Sequence, residues 1–416
     1  MPVALGLLAL MSLPLPSPAQ AEWLRHDYYA FVHFGPNTFS GLEWGHGTED
    51  PKSFNPKKLD CRQWARAFKS AGMTGVIITA KHHDGFCLWP TKLSTHSVKA
   101  STWRDGKGDV LRELSDACRK EGLSFGVYLS PWDRNHPQYG TPGYNDVFVS
   151  MLDEVLTRYG KVFEVWFDGA NGEGPNGKKQ VYDWPRFIAK VRERQPKAVI
   201  FSDAGPDVRW VGNENGIAGD PNWLTIRRDR YVPGTPLYEE LTKGDADGPD
   251  FVPSECDVSI RPGWFWRASE DKAVKSPEAL FDLYLKSVGR GSPLLLNVPP
   301  NADGLISDAD IRALEGFRRL RDEHLGHAVR LRKRGDTFSA PAPVDAAYLE
   351  LREDLRQGQR VRRVQVFDGE TKLAEFESVG KRRIVALPTG VRTKLRLVVT
   401  TVAGPENMTA WLHPKR

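Results

Sequence analysis

The chain has 416 residues, 27% of them charged, with a formal net charge of +5 at pH 7. That length is too great for one small domain and fits a barrel of roughly 250 residues or more with one accessory module. The positive charge is small for the length and partly gathered in the C-terminal third, so it gives no reason to expect a nucleic-acid partner.

Residues 1–21 read as a secretory signal. An apolar run, Val3-Ala-Leu-Gly-Leu-Leu-Ala-Leu10, leads through Pro14 and Pro16 to Ala19-Gln-Ala21, a small-x-small cleavage site. No Lys or Arg precedes the run, which departs from the usual pattern. The run is too short to span a membrane as a mature helix, and no other stretch is long and apolar enough. The expectation is an exported, soluble protein, periplasmic or secreted, with no membrane contact in its mature form.

From about residue 28 to 325, short β-branched or aromatic runs alternate with amphipathic stretches of helical length, the pattern of repeated β/α units. Strands are predicted at 30–34, 75–80, 125–129, 163–167, 199–201 and 294–298. Helices are predicted at 61–71, stopped by Gly72, and at 110–121, with Asp109 as N-cap and Gly122 as stop. Further helices are predicted at 146–159, 184–194, 278–288 and 308–324. Residues 205–262 are rich in Gly, Pro, Asn and Asp and show no clean alternation, so long loops and irregular barrel strands are expected there. After about residue 334 the pattern turns to short alternating runs broken by Asp368-Gly369 and Thr389-Gly390, which fits a small antiparallel β-sandwich. The expected division is a signal at 1–21, a β/α barrel at 22–333 and a sandwich at 334–416. Arg362, Arg363, Arg382 and Arg383 read as solvated strand faces rather than a docking patch. The four cysteines have no C-x-x-C spacing and leave pairing open.

Candidate chemistry gathers at the predicted strand ends, where barrel active sites lie. The run Glu164-Val-Trp-Phe-Asp-Gly-Ala-Asn171 ends a strand in an acid, Asp168, followed at once by glycine. About one β/α unit later, Val208-Arg-Trp-Val-Gly-Asn-Glu214 offers a second acid, Glu214. Two carboxylates on neighbouring loops suggest glycoside hydrolysis. Other strand ends supply His33, Glu43 and Trp44, then Lys81-His-His-Asp-Gly-Phe86, then Tyr128-Leu-Ser-Pro-Trp132. Imidazoles donate and accept, and so suit a polyol, while some of the thirteen tryptophans can stack on sugar faces. A metal reading of His82, His83 and Asp84 needs ligands from elsewhere, because adjacent strand residues point to opposite sides.

Taken in order, His33-Phe-Gly, Lys81-His-His-Asp-Gly-Phe86, Trp166-Phe-Asp-Gly169 and Leu294-Leu-Leu-Asn-Val-Pro-Pro300 resemble the α-L-fucosidases of glycoside hydrolase family 29 across roughly residues 23–325. The resemblance implies a retaining exo-glycosidase on a β/α barrel, without a cofactor or metal, with Asp168 as nucleophile. The run from Ser202 to Glu214, with Glu255-Cys-Asp-Val-Ser-Ile260 and Pro262-Gly-Trp-Phe265, is similar to the subgroup cleaving α-1,3 and α-1,4 fucosyl linkages. In that subgroup the Glu of Gly-Asn-Glu is the acid/base, which matches Glu214, with Glu255 and Glu43 as rivals. The implied substrate is a branched, Lewis-type oligosaccharide or glycoconjugate. Trp166 and Tyr128 are expected to line the fucose pocket, His33, His82 and His83 to bind hydroxyls, and Trp44 or Trp264 to pack on the C5 methyl. Glu43 and Arg209 complete the expected substrate-binding set. Retention needs the two carboxyls roughly 5–5.5 Å apart. A broad fucosidase acting on α-1,2 or aryl fucosides, a non-catalytic fucose-binding protein and a metal-dependent hydrolase are the alternative readings. The sequence leaves the oligomeric state open.

Overall fold

The structure, a computed structural model, describes residues 13–234 and 238–415. Eight parallel strands close into a barrel: β1 Tyr28–Val32, β2 Gly75–Lys81, β3 Ser124–Leu129, β4 Glu164–Trp166, β5 Val199–Ser202, β6 Val208–Trp210, β7 Ser254–Ser259 and β8 Leu294–Asn297. Each pairs with its neighbours in chain order, and β8 closes on β1 through the register Tyr29↔Leu295.

Side chains alternate across this wall, as strand geometry requires. Tyr29, Phe31, Ile77, Tyr128, Trp166, Val199, Phe201, Val208 and Leu295 share one buried cluster inside the barrel. Their neighbours Tyr28, Ala30, Val32, Val76, Ile78, Val127, Val165, Ile200, Leu294 and Leu296 face the helices in a second cluster. One further step of the inward alternation brings His33 after Phe31, Asp168 after Trp166, Asp203 after Phe201 and Asn297 after Leu295 to the barrel mouth. The strand period itself therefore delivers polar groups to the site.

The helices follow the sequence closely. Cys61–Ser70 buries Cys61, Trp64, Ala65 and Phe68, an i, i+3, i+4, i+7 stripe, behind an Asp60 N-cap. In Val110–Glu121 the Asp109 side chain accepts from Arg112 N, and Gly122 ends the helix at φ 70°, a conformation that favours glycine. Gly143–Arg158, Trp184–Arg194, Pro277–Lys286 and Asp308–Leu325 lie within a few residues of their predicted bounds. Irregularity falls where the Gly- and Pro-rich composition places it. No helix separates β5 from β6, and between β6 and β7 the described residues hold only the α-helix Tyr238–Lys243, a 3-10 turn at Arg228–Arg230 and a strand pair, Thr225–Ile226 with Asp250–Phe251.

A short helix, Pro18–Trp23, closes the N-terminal end of the barrel behind a Ser17 capping box. Gln20 is buried and donates to the carbonyls of Asp207 at 2.8 Å and Phe251 at 2.7 Å. Trp23 donates to Glu164 Oε2 at 2.8 Å. The cleavage point expected after Ala21 falls inside this helix, and the apolar run at 3–10 lies outside the described residues. No helix among the described residues is long and apolar enough to cross a membrane.

The C-terminal domain is an antiparallel sheet built around one long strand, Thr337–Glu353. Its first half pairs with Val391–Thr401 and its second half with Met408–Pro414 and Arg383–Ala386, with register shifts near the change of partner. The two halves enclose a core of Leu349, Leu351, Val364, Val366, Leu395, Leu397 and Leu412. The sheet begins at Val329–Arg330, a few residues ahead of the division expected at 333/334. Of the arginines expected on solvated strand faces, Arg363 is exposed, whereas Arg362 and Arg382 are half-buried and Arg383 is buried. Arg382 and Lys381 pair with Asp27 below β1, and Arg383 pairs with Asp220. The four cysteines are buried and unpaired.

Candidate active site

A cleft of about 840 Å³ opens at the C-terminal ends of the strands, lined by Trp44, Trp166, Asp168, Asp203, Trp210, Glu214 and Tyr238 among others. Ligand sites commonly span 300–1,000 Å³, so there is room here for more than one sugar ring. A second cavity, of about 640 Å³, lies at the opposite end against Trp23 and His26 and holds none of the expected site residues.

Asp168 stands just beyond β4. Its Oδ2 accepts from the Tyr128 hydroxyl at 3.1 Å and lies 3.7 Å from His83 Nε2, while Oδ1 accepts from Ala170 N at 2.7 Å. The glycine that follows has a steric reason: a Cβ on Gly169 would meet Asp203 Oδ2 at 2.2 Å. The Asp203 carboxyl therefore packs against the backbone beside Asp168. Burial and the Asp168 charge push Asp203 up to about 6.

Glu214 faces the same cleft from the segment after β6, where its Oε2 accepts from Trp264 Nε1 at 3.3 Å. Burial raises its pKa, the Trp264 hydrogen bond opposes the rise, and the charges of Asp168 and Glu43 add to it. A carboxyl shifted in this direction suits proton donation to a leaving oxygen.

The histidines form a neutral cluster. Burial lowers His82 well below its ordinary value, His33 to about 3 and His83 to about 4. The Ser130 hydroxyl lies 2.9 Å from Trp132 O and 2.8 Å from His83 Nδ1. With its one hydrogen given to the carbonyl, Ser130 must accept from His83 Nδ1–H. His83 Nε2, beside Asp168, is then left with a lone pair able to accept a hydrogen bond. His33 is fixed through Nδ1 to Asn297 Oδ1 at 2.9 Å, and Asn297 in turn donates to Trp264 O at 2.8 Å. Trp166, Tyr128 and His82 form an aromatic column continuing from Phe201, with the Phe201 and Trp166 rings 3.9 Å apart and nearly parallel.

The structure thus brings together His33, His82, His83, Tyr128, Trp166, Asp168, Glu214, Trp264 and Trp44, the last of them 56% exposed at the cleft mouth. Among the remaining candidates, Glu43 pairs with Arg267 at 2.6 Å and accepts from Trp264 N, so it holds Trp264 in place. Glu255 lies deeper in the barrel, accepting from Trp166 Nε1 at 2.8 Å and from the Tyr29 hydroxyl. There burial pushes it up to about 7 and raises Glu164 beside it further. Its place is under Trp166, supporting the pocket floor.

Arg209 corrects the expectation of substrate contact. It is fully buried and its guanidinium donates to the carbonyls of Leu241, Val252 and Trp223 and to Asn222 Oδ1. Asp84 is likewise buried, accepting from Phe86 N, and no group of three or more His, Cys, Asp or Glu among the described residues is arranged to hold a metal. The sequence reading missed Asp203 and Asp257. Asp257 is buried, lines the cleft and accepts from Trp210 Nε1 at 2.7 Å; burial and the Glu214 charge raise its pKa well above the ordinary value. Both acids sit two residues beyond an inward position, Phe201 or Glu255, and carrying the strand alternation forward would have found them.

A family model described as Alpha-L-fucosidase matches residues 10–319. The chain is 41% identical to Alpha-L-fucosidase 1 of Arabidopsis thaliana, over 93% of this chain and 85% of that protein. A glycoside hydrolase 29 family member from an unknown rumen bacterium superposes with a TM-score of 0.90 at 41% identity, covering 97% of this chain and 78% of that one. A Ruminococcus gnavus GH29 fucosidase, solved in complex with fucose, superposes with a TM-score of 0.87 at 28% identity over 97% and 95% of the two chains. With this barrel and these matches over most of its length, the chain belongs to the α-L-fucosidases of glycoside hydrolase family 29.

Proposed function

We propose that this glycoside hydrolase removes α-L-fucose by double displacement, with Asp168 as nucleophile and Glu214 as acid/base. Asp168 attacks the anomeric carbon as the bond to the leaving oxygen breaks, and Glu214 gives that oxygen its proton. Glu214 then takes a proton from water, whose oxygen attacks the same carbon and frees Asp168. Forming the neutral ester removes the Asp168 charge, one of the influences that raise Glu214, and so lowers the Glu214 pKa and keeps its carboxylate ionised, as the base of the second step must be. The observation that carries this reading is that the two acids face one cleft, Asp168 within the neutral histidine and tyrosine cluster and Glu214 held by Trp264.

The preferred substrate in this proposal is an α-1,3- or α-1,4-linked fucose on a branched, Lewis-type glycan. The space beyond Glu214, bounded by Val232, Gly234 and Tyr238, gives a second sugar somewhere to lie. The test is fucose release from a branched Lewis trisaccharide, from α-1,2-fucosylated lactose and from an aryl fucoside. Release mainly from the first supports the linkage. Release mainly from the other two keeps the fucosidase and discards the linkage. Binding without release from any supports a carbohydrate-binding protein. We also propose export, on the apolar run at 3–10, which fractionation of the producing cells tests.

A further inference from the structure

The leaving-group side of the cleft stands on a segment, residues 211–253, whose described residues have little regular structure to hold them. Val232, Gly234 and Tyr238 from this segment line the cleft. Its fixed points are polar, and several come from the C-terminal sheet. Gln359 Oε1 accepts from Leu224 N at 2.8 Å, and Ser378 Oγ accepts from Asn222 N at 3.2 Å. Arg383, only 7% exposed, donates to both carboxylate oxygens of Asp220 at 2.8 and 3.0 Å. The Arg362 guanidinium lies 5.0 Å above the Trp223 ring.

The stretch 219–225 is bonded in turn to the short helix Tyr238–Lys243 and the turn after it. Trp223 N donates to Lys243 O at 2.7 Å, Gly219 N to Thr242 O at 3.1 Å and Asp245 N to Thr225 O at 2.7 Å. Arg209 clamps the same two stretches from inside, reaching Asn222 Oδ1 and Trp223 O on one and Leu241 O on the other. Helix Tyr238–Lys243 then meets the site at two places. Thr242 Oγ1 lies 2.8 Å from Val211 O, three residues before Glu214, and the Tyr238 ring meets Trp210 edge-on at 5.4 Å. The remaining polar contacts of Lys381 and Arg382 with the barrel go to Asp27, His26 O and Tyr284, away from the histidine cluster.

We infer that the C-terminal sheet positions the leaving-group wall of the active site, with Gln359, Ser378 and Arg383 as positioning residues that hold 220–224 and through it Tyr238. The inference rests on the proposal that this wall meets the leaving sugar, but not on the linkage cleaved. The fucose-binding side, carried by the barrel strands, does not depend on these contacts. A fault in them therefore weakens recognition of an oligosaccharide and spares an aryl fucoside.

The experiment compares the full-length protein with the double variant Gln359→Leu, Ser378→Ala and, separately, with Arg383→Met. The wild type is assayed first on the three fucosides named above, which settles the linkage independently, and the oligosaccharide it cleaves best is then used. The inference predicts a KM for that oligosaccharide raised about tenfold, with kcat/KM for the aryl fucoside within about twofold of wild type. Arg383→Lys, which keeps the charge near Asp220, should restore part of the loss seen with Arg383→Met. Equal losses on both substrates, or an unchanged oligosaccharide KM in a folded variant, overturn it. Amide exchange in Gln359→Leu alone gives a second measure. Faster exchange confined to 219–226 and 238–245 supports the inference, and unchanged protection there contradicts it.

Discussion

On the side of the cleft formed by β1 to β4, His33, His82, His83, Tyr128 and Asp168 stand on or just beyond strands flanked by regular helices. On the side formed by β5 to β7, Glu214, Val232 and Tyr238 stand on chain that the described residues supply with one short α-helix. The first side takes its precision from apolar packing inside and outside the strands. The second takes it from Arg209 and from side chains of the C-terminal sheet. Apolar packing fixes a strand whatever reaches its end, whereas a polar clamp fixes a loop only as long as each donor meets its acceptor. Under the proposed function the division matches two tasks, one surface for a single sugar and one for whatever carries it.

Substitutions on the two sides should therefore differ in kind. The largest effect belongs to Asp168→Asn, which should lower kcat on every fucoside by on the order of 10⁴-fold while fucose binding, read by calorimetry, survives. Glu214→Gln should lower turnover of an oligosaccharide by about 10²- to 10⁴-fold. With an aryl fucoside whose leaving group needs no proton, its first step should be much less affected, and burst kinetics resolve the difference. Arg209→Leu strips a donor from three buried carbonyls, at about 1–3 kcal/mol for each group left unsatisfied. Thermal unfolding should show that loss, and oligosaccharide turnover should fall more than aryl-fucoside turnover.

Smaller effects concern pH. Trp264→Phe removes the hydrogen bond that stabilises the Glu214 carboxylate, so the Glu214 pKa should rise further. The protonated acid then persists to higher pH, and the alkaline limb of kcat/KM moves up. At the domain interface, burial would raise Asp27 and Glu350. Lys381 and Arg382 instead hold Asp27 below its ordinary 3.8, and His413, Arg382 and Arg352 hold Glu350 down at about 2. A depressed folded pKa stabilises the protein above the unfolded pKa and ceases to do so as pH falls through the folded one. Urea midpoints measured from about pH 5 to about pH 2 should therefore drop through this window. Asp27→Asn should flatten part of the drop.

The legibility of the sequence follows the same division. The strand–helix alternation gave most of the barrel, because its residues are chosen by burial with a fixed period, as Trp64 and Phe68 or Phe31 and Leu295 show. The His-Phe-Gly and Trp-Phe-Asp-Gly signals were readable because the alternation carries His33 and Asp168 into the mouth. Arg209 was misread because its neighbours in sequence, Trp210 and Glu214, do line the cleft. Its real partners are carbonyls at 223, 241 and 252, which no local pattern marks. The role of Gly169 was hidden for the same reason: its constraint is Asp203, one strand away. The N-terminal region shows a related mixture, since Gln20 and Trp23 lie beside the cleavage point expected from the sequence yet bond to Asp207, Phe251 and Glu164. A chain starting at Glu22 should unfold at lower temperature than one that includes Ser17 and Gln20.

The most direct test of the account is to trap the intermediate with a fluorinated fucosyl donor that forms the glycosyl-enzyme faster than water releases it, and to locate the added sugar by peptide mass spectrometry. The account predicts one fucosyl group on the peptide carrying Trp166-Phe-Asp-Gly169, attached to Asp168 and absent from Asp168→Asn. A label on Glu214 or Asp203, or rapid turnover with no covalent label at any carboxylate, would contradict it.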